Sequence, residues 1–334
     1  MTEKRFYPAD IDLSRYRFLV TGGAGFIGSH IVDYLLLHGA AEVRVLDNFA
    51  TGSLQNIAHH RQSARFTLVE GDIRDADTCL QACAGIDYLS HQAALGSVPR
   101  SIQDPISTNA VNVGGFVNML FAAQKQGVKR VVYASSSSVY GDEPNLPKIE
   151  SRMGRALSPY AVSKLTNEHY AAVFAPTYGM ELAGLRYFNV FGPRQSPKGA
   201  YAAVIPLFIE QLRQGKAPFI NGDGTQSRDF TYIENAVQAN IRALFATHPQ
   251  AATAQTYNIA FGERYTVNAL YDALARRLQC SHIAPQYREA RAGDVAHSLA
   301  DISKARTLLG YQPEIDFETG LSLTVDATLA LLCS

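Results

Sequence analysis

From Tyr16 onward, short apolar runs alternate with stretches of helical period. "RFLVTG" reads as a strand, "GFIGSHIVDYLLLHG" as an amphipathic helix closed by Gly39, and "EVRVLDN" as the next strand. "FTLVEGD" and "IDYLSHQAA" repeat the strand pattern. "NVGGFVNMLFAAQKQG" reads as a helix, "KRVVYASS" as a strand, "SPYAVSKLTNEHYAAVFAPTYG" as a long helix and "MELAGLRYFNVFG" as a strand. Strands alternating with helices of this length predict βαβ units, hence an α/β fold with a doubly wound parallel sheet and helices on both faces. Beyond about residue 190 the regularity weakens, and loops such as "GPRQSPKGAY", "INGDGTQSRDF" and "YREARAGDVAH" separate short helices. No Pro/Gly/Ser-rich tether intervenes. The expected division is a first domain over 1–190, with 1–15 as an N-terminal extension, and a smaller mixed region over 191–334.

"VTGGAGFIGSH" places Gly22, Gly25 and Gly28 after a strand and at the mouth of a helix. Glycines there permit a tight turn and let backbone N–H groups approach a pyrophosphate at a helix N-terminus. Gly23 also allows a second spacing of the motif, so the regular expression alone is weak. Nineteen residues after Gly28, at the end of the second strand, stands Asp47. A carboxylate there accepts ribose hydroxyls and repels a 2′-phosphate, which favours NAD over NADP. "GDIRD" adds Asp72 and Ile73 as partners for the adenine. The first domain is therefore expected to be a Rossmann-type NAD-binding domain.

Tyr160 and Lys164 in "SPYAVSK" stand four residues apart, on one face of the long helix, with Ser158 as N-cap and Pro159 in the first turn. A free tyrosine, with pKa near ~10, is a poor base at neutral pH. A neighbouring ammonium is expected to lower it. Tyr and Lys at this spacing are common on ordinary amphipathic helices; the pair gains meaning from the glycine motif and from the serine-bearing strand end "YASSSSVYG".

"TGGAGFIGS", Asp47, "YASSSSVYG", "YAVSK" and "LRYFNVFGPRQ" together resemble the extended short-chain dehydrogenase/reductase family and, within it, the nucleotide-sugar 4-epimerases. The likeness runs from about residue 16 to about 325. It implies a seven-stranded Rossmann domain with bound NAD and a C-terminal region that grips a nucleoside diphosphate sugar. It adds Phe26, Ile27, Asn48, Gln92, Ala93 and Tyr187 to the cofactor contacts, alongside Tyr160 and Lys164. It makes Ser136, five positions before the glycine of "VYG", the partner of the sugar 4-hydroxyl, sharing a proton path with Tyr160. Related 4,6-dehydratases carry Asp and Glu at the next two positions, and related decarboxylases a Glu at the second. Here Ser137 and Ser138 stand instead and are expected to line the sugar pocket, so no carboxylate pair is available for elimination.

"HQAALGSVPRS", "RYFNVFGPRQSPKGAYAAVIPLF" and "RAGDVAHSLADISKA" look most like epimerases acting on UDP-N-acetylglucosamine and UDP-N-acetylgalactosamine in bacterial surface-polysaccharide synthesis. That likeness implies Asn189 and Arg228 on the diphosphate and nearby hydroxyls, Arg291 on phosphate and Asp294 on a ribose hydroxyl. It places Asn221 among the substrate contacts and Gly96, Ser137, Gln195 and Ser298 around the sugar C2 substituent. Glucose-restricted relatives place a tyrosine where Ser298 stands. Two alternatives are a UDP-glucuronate 4-epimerase, whose relatives share serine-rich runs, and a non-catalytic NAD-binding regulatory protein.

Composition changes this picture little. Among 334 residues, 30 Lys plus Arg balance 30 Asp plus Glu, so no charge excess argues for nucleic acid or an anionic membrane. Cys79, Cys83, Cys280 and Cys333 show no metal-site spacing and read as free thiols of a reducing, cytoplasmic setting. No apolar leader or spanning stretch is seen, and no metal is expected. Amphipathic helices over about 106–126 and 159–178, together with the family resemblance, lead to the expectation of a homodimer.

Overall fold

The computed structural model describes residues 3–197, 202–246, 254–289 and 296–333. Six strands occupy the segments read from the sequence: β1 (Arg17–Thr21), β2 (Glu42–Asp47), β3 (Phe66–Glu70), β4 (Tyr88–His91), β5 (Arg130–Ser136) and β6 (Glu181–Tyr187). A seventh strand, Ala254–Ile259, joins the sheet beside β6. All seven run parallel, with β1 beside β4, β2 and β3 to one side, and β5, β6 and Ala254–Ile259 to the other. Connecting parallel neighbours requires a crossover, and the helices of the sequence pattern supply it. This is the doubly wound Rossmann-type α/β fold.

Side-chain alternation sorts the core into two layers. Phe18, Val20, Val43, Val45 and Val132 bury toward α1 (Phe26–Leu37) and the helix Ile233–Phe245. Leu19, Leu46, Leu89, Val131 and Tyr133 bury on the opposite face, against the helices Ala76–Cys83 and Phe116–Lys125. Period-two burial on both faces is what a covered parallel sheet demands.

The seventh strand and the helix Ile233–Phe245 lie beyond residue 190 yet return to the sheet. "AQTYNI" is short and half polar, so its strand character comes from pairing along β6, not from its own pattern. The rest of the later half combines the helices Val204–Arg213, Val267–Arg277, Ser303–Leu309 and Phe317–Cys333 with short strand pairs, Val190–Phe191 with Thr231–Tyr232, Ser227–Arg228 with Tyr265–Thr266, and Phe219–Asn221 with Gln286–Arg288. The expected N-terminal extension folds back on the core: Phe6 is buried and stacks on Tyr34 with ring centroids 5.2 Å apart. The helical stretch expected over 106–126 is interrupted. Pro105–Asn109 and Phe116–Lys125 are joined by a π-helical turn at Ala110–Gly115. Among the described residues no helix is long and apolar enough to cross a membrane.

Behind the C-terminal end of β5 lies a buried polar network. Arg186 on β6 forks onto Glu168 of the long helix Pro159–Tyr178, with Nε 2.9 Å from Oε1 and Nη2 2.7 Å from Oε2. Ser135 donates to the same Oε1 at 2.6 Å, and Arg186 Nη1 donates to Tyr140 at 3.0 Å. Tyr140 in turn donates to Asn258 on the seventh strand at 2.6 Å. Removing one member of such a pair strands a charge in the interior, which costs about 3–5 kcal/mol.

Candidate active site

A cavity of about 1130 Å³ opens along the C-terminal ends of the strands. Its lining includes the loops after β1 and β4, between which the chain order reverses, the place where doubly wound sheets bind ligands. Its lining brings together Gly22, Gly25, Phe26, Ile27, Gly28, Asp47, Asn48, Asp72, Ile73, Gln92 and Ala93 with Gly96, Ser136, Tyr160, Lys164, Tyr187, Asn189 and Gln195.

At the nucleotide end, Gly22 turns with φ +65°, and a Cβ there would sit 2.7 Å from the Ala93 nitrogen. A Cβ on Gly28 would sit 2.2 Å from the Gly22 carbonyl oxygen, so only glycine lets α1 start this close to β1. No side chain caps α1 at Gly25, which leaves its first N–H groups open to an anion. Asp47 is buried and receives Ala24 N–H at 2.9 Å on one oxygen and Phe49 N–H at 2.8 Å on the other. Burial raises its pKa and the two amides pull it back. Each oxygen keeps a lone pair for a ribose hydroxyl. Asp72 is held by Arg74 through Nε at 3.0 Å and Nη2 at 2.7 Å, which with the Asn48 amide draws its pKa down to about 2. A glycine cradle, an uncapped helix start, a ribose-facing carboxylate and a cleft of this size fit NAD.

At the chemical end, β5 delivers Ser136 and the long helix delivers Tyr160 and Lys164. Ser158 caps that helix through Ala161 N–H at 3.1 Å, as its position in the sequence suggests. Lys164 is buried, donates to the Ala134 carbonyl at 2.8 Å, and is pushed down to about 8 by burial. Tyr160 opens onto the cavity, but its hydroxyl lies deep enough that burial raises its pKa, against the lowering hydrogen bond of Ser136. Desolvation disfavours both charged forms, and the lysine donates to a carbonyl, so a lowered tyrosine pKa calls for the positive nicotinamide ring as well as the ammonium.

The four serines part company here. Ser135 belongs to the Glu168 network and Ser136 faces Tyr160. Ser136 Oγ also accepts Ser138 N–H at 3.2 Å and caps the 3₁₀ turn Ser137–Tyr140. That turn carries Ser137 and Ser138 out of the cavity lining, where the sequence reading had put them.

Asn221, Arg228 and Ser298 also lie outside the lining, each held by a neighbouring segment. Ser298 N–H donates to Ser227 at 3.0 Å, Arg228 Nη1 donates to Ala296 at 3.2 Å, and Gln226 Nε2 donates to Asn221 at 2.6 Å. Arg291 and Asp294 fall outside the described residues.

Several positioning groups escaped the sequence reading. Asn240 donates to Tyr187 at 2.7 Å, Tyr187 donates to Gln92 at 3.1 Å, and Gln92 donates back to Asn240 at 3.0 Å, a closed ring beneath the cavity. Asn112, in the π-helical turn, holds Leu95 through both its amide atoms and donates to Ser163 at 3.1 Å. Asp229 is buried and accepts N–H groups from Phe261 and Gly262 at 3.2 Å and from Ala300 at 3.1 Å; burial lifts it to about 7. Its carbonyl receives Asn189 at 3.1 Å. Arg74 was visible within "GDIRD"; Asn240 and Asp229 have no local signal.

A glycine-cradled dinucleotide cleft ending in a Ser–Tyr–Lys set defines an NAD-dependent enzyme of the short-chain dehydrogenase type. Residues 18–260 match the NAD dependent epimerase/dehydratase family, and the chain belongs to it. A UDP-glucose 4-epimerase of Mycolicibacterium smegmatis is 37% identical over 312 residues, 93% of this chain and 97% of that protein. The solved UDP-N-acetylglucosamine 4-epimerase of Methanobrevibacter ruminantium, in complex with UDP-N-acetylmuramic acid, superposes with TM-score 0.89 at 38% identity, covering 95% of this chain and 99% of that one. UDP-glucose 4-epimerase of Thermotoga maritima, solved with UDP-glucose, gives TM-score 0.88 at 34% identity over 95% and 99%.

Denaturing the purified protein is expected to release NAD(H) near one per chain. Gly28→Val, which forces side-chain atoms onto the Gly22 carbonyl, should lower that content at least about tenfold. NADP in the extract, or full NAD occupancy in the variant, would overturn the assignment of Asp47 and the glycine cradle.

Proposed function

We propose that the protein interconverts UDP-N-acetylglucosamine and UDP-N-acetylgalactosamine by inverting C4, with slower action on the glucose and galactose pair. The observation that carries the 4-epimerase reading is Ser136, Tyr160 and Lys164 at one cavity end, with serines where elimination would need carboxylates. The relatives named above support the same class.

NAD, when bound, supplies the acceptor and later the donor of the C4 hydride. Tyr160 holds the proton of the C4 hydroxyl, with Ser136 bridging oxygen to phenol. Lys164, pushed down only to about 8, keeps most of its positive charge at neutral pH as the phenol loses its proton. The proton returns by the same path, so the cycle needs no external acid.

Room for an acetamido group is supported by the small residues of the sugar end. A Cβ on Gly96 would meet nothing within 4 Å, and Ala202 and Ala203 also line the cavity. Asn189, Gln195, Ser137, Ser138, Asn221, Arg228, Ser298, Arg291 and Asp294 stay with the nucleotide sugar in this reading. The cluster of Arg228 and Ser298 adjoins the cavity through the bond from Asn189 to Asp229. A homodimer is proposed as well. Ile106, Phe121, Val162 and Val173 expose apolar side chains on the two helical segments, Val173 to 61%. Sedimentation at micromolar concentration should give the two-chain mass, and a monomer would refute it.

Tyr160→Phe should lower kcat by roughly 10²–10⁴-fold at nearly unchanged substrate affinity, since it removes the proton carrier but little surface. Turnover near that of the parent would exclude Tyr160 from the mechanism. Ser298→Tyr should lower the kcat/KM ratio of UDP-N-acetylglucosamine to UDP-glucose at least about tenfold, or ~1.4 kcal/mol of differential transition-state binding. An unchanged ratio with NAD still bound would place the sugar preference elsewhere.

A further inference from the structure

Outside the cofactor cleft, three side chains converge in a way that the epimerase chemistry does not use. Asp33 projects from α1, and His59 and His60 end the 3₁₀ turn Ala58–His60 in the connection between β2 and β3. Both imidazoles aim Nε2 at the same carboxylate oxygen. His59 lies 3.0 Å and His60 2.7 Å from Asp33 Oδ1. The other oxygen, Oδ2, accepts Arg194 Nη2 at 2.7 Å. Asp33 and His60 keep 12% and 16% of their side-chain exposure and His59 keeps 50%, so the cluster is walled by protein and open on the His59 side.

We propose that Asp33, His59 and His60 form a zinc-binding site, with solvent completing a tetrahedron on the open side. Their ligand atoms lie within 4.8 Å of one another. Zinc takes imidazole nitrogen and carboxylate oxygen at about 2.0–2.1 Å, which sets neighbouring donors of a tetrahedron ~3.3 Å apart. The observed separations of 2.7 and 3.0 Å fall only a few tenths of an ångström short of that. Accommodating the ion would need each Nε2 to draw back from Oδ1 by roughly 0.3–0.6 Å. The carboxylate is already divided as a ligating carboxylate should be: one oxygen faces the ring nitrogens, and the other is fixed by a guanidinium that sets its orientation. Two nitrogens and one oxygen favour zinc over calcium or magnesium, which take oxygen shells. The Arg194 charge opposes the cation and keeps the site weaker than a closed structural one.

The site would fasten three parts of the chain. Arg194 stands at φ +68°, directly before Gln195 and Ser196, which line the main cavity. On the same side, His30 of α1 bonds the Pro193 carbonyl through Nε2 at 3.0 Å. An ion on Asp33 thus joins the cofactor-binding helix, the loop after β2 and the loop that enters the sugar side. Its effect is on stability, because none of its ligands reaches the reacting atoms.

The test uses untagged full-length protein with its NAD, stripped of metal by a chelator and titrated with zinc chloride alone near neutral pH. Calorimetry should show one zinc per chain, and the thermal midpoint should rise. His60→Ala should weaken binding at least about tenfold and abolish the thermal shift, while metal-free turnover and NAD content stay those of the parent. His60→Cys, which keeps a zinc ligand, should restore binding. Absence of zinc binding, or equal binding by the parent and by His59→Ala/His60→Ala, would overturn the proposal. So would binding that persists in His60→Ala with an undiminished thermal shift.

Discussion

The constraint on which the molecule rests is that seven strands run the same way. A parallel sheet cannot be closed by hairpins, so every connection crosses a face, and every strand ends on one edge. Thr21, Asp47, His91, Ser136 and Tyr187 are the last residues of their strands, and all lie on or beside the cavity. The reversal of order between β1 and β4 parts the connecting loops there and leaves a cleft. The chemistry therefore sits at the one edge where the topology leaves backbone N–H groups, a carboxylate and a hydroxyl unspent.

The same burial that builds this edge sets its electrostatics. Glu168 and Arg186 are both nearly inaccessible, each bidentate to the other and further bonded to Ser135 and Tyr140. Such a pair contributes little net stability against an apolar substitute, but it fixes the strand bearing Ser136 relative to the helix bearing Tyr160. Lys164 lacks a carboxylate partner and rests on a carbonyl, so desolvation prevails and its pKa falls toward neutrality. A lysine in that condition holds its proton loosely, which suits the proton exchange proposed for Tyr160.

Much of this was legible in the sequence because it is local. Strand, glycines and helix lie within one βαβ unit, Ser158 and Pro159 announce the start of the catalytic helix, and helical spacing alone puts Tyr160 and Lys164 together. What escaped is what depends on distant pairing. "AQTYNI" becomes a strand only when β6 offers its edge, and Asn240 meets Gln92 across 148 residues of chain. Ser136 caps a 3₁₀ turn that takes Ser137 and Ser138 off the strand, a competition between side chain and backbone that a run of four hydroxyls does not disclose. Backbone strain was equally silent. Ser97 and Asn189 adopt positive φ without being glycine and both line the cavity, where surrounding contacts hold them.

The division between chemistry and specificity follows from where rigidity is found. The sheet fixes Ser136, Tyr160 and Lys164 through contacts that do not depend on the sugar. The later loops owe their arrangement to Asp229, whose carboxylate binds three backbone N–H groups drawn from two separate segments. Desolvation raises this carboxylate to about 7 against the lowering pull of those N–H groups. Arg228 is its chain neighbour, Asn189 bonds its carbonyl, and Ser298 stands two residues before the Ala300 amide it holds. In the proposed reading the sugar contacts therefore lie in loops tied to that buried acid, and the proton path lies on the separately fixed sheet edge.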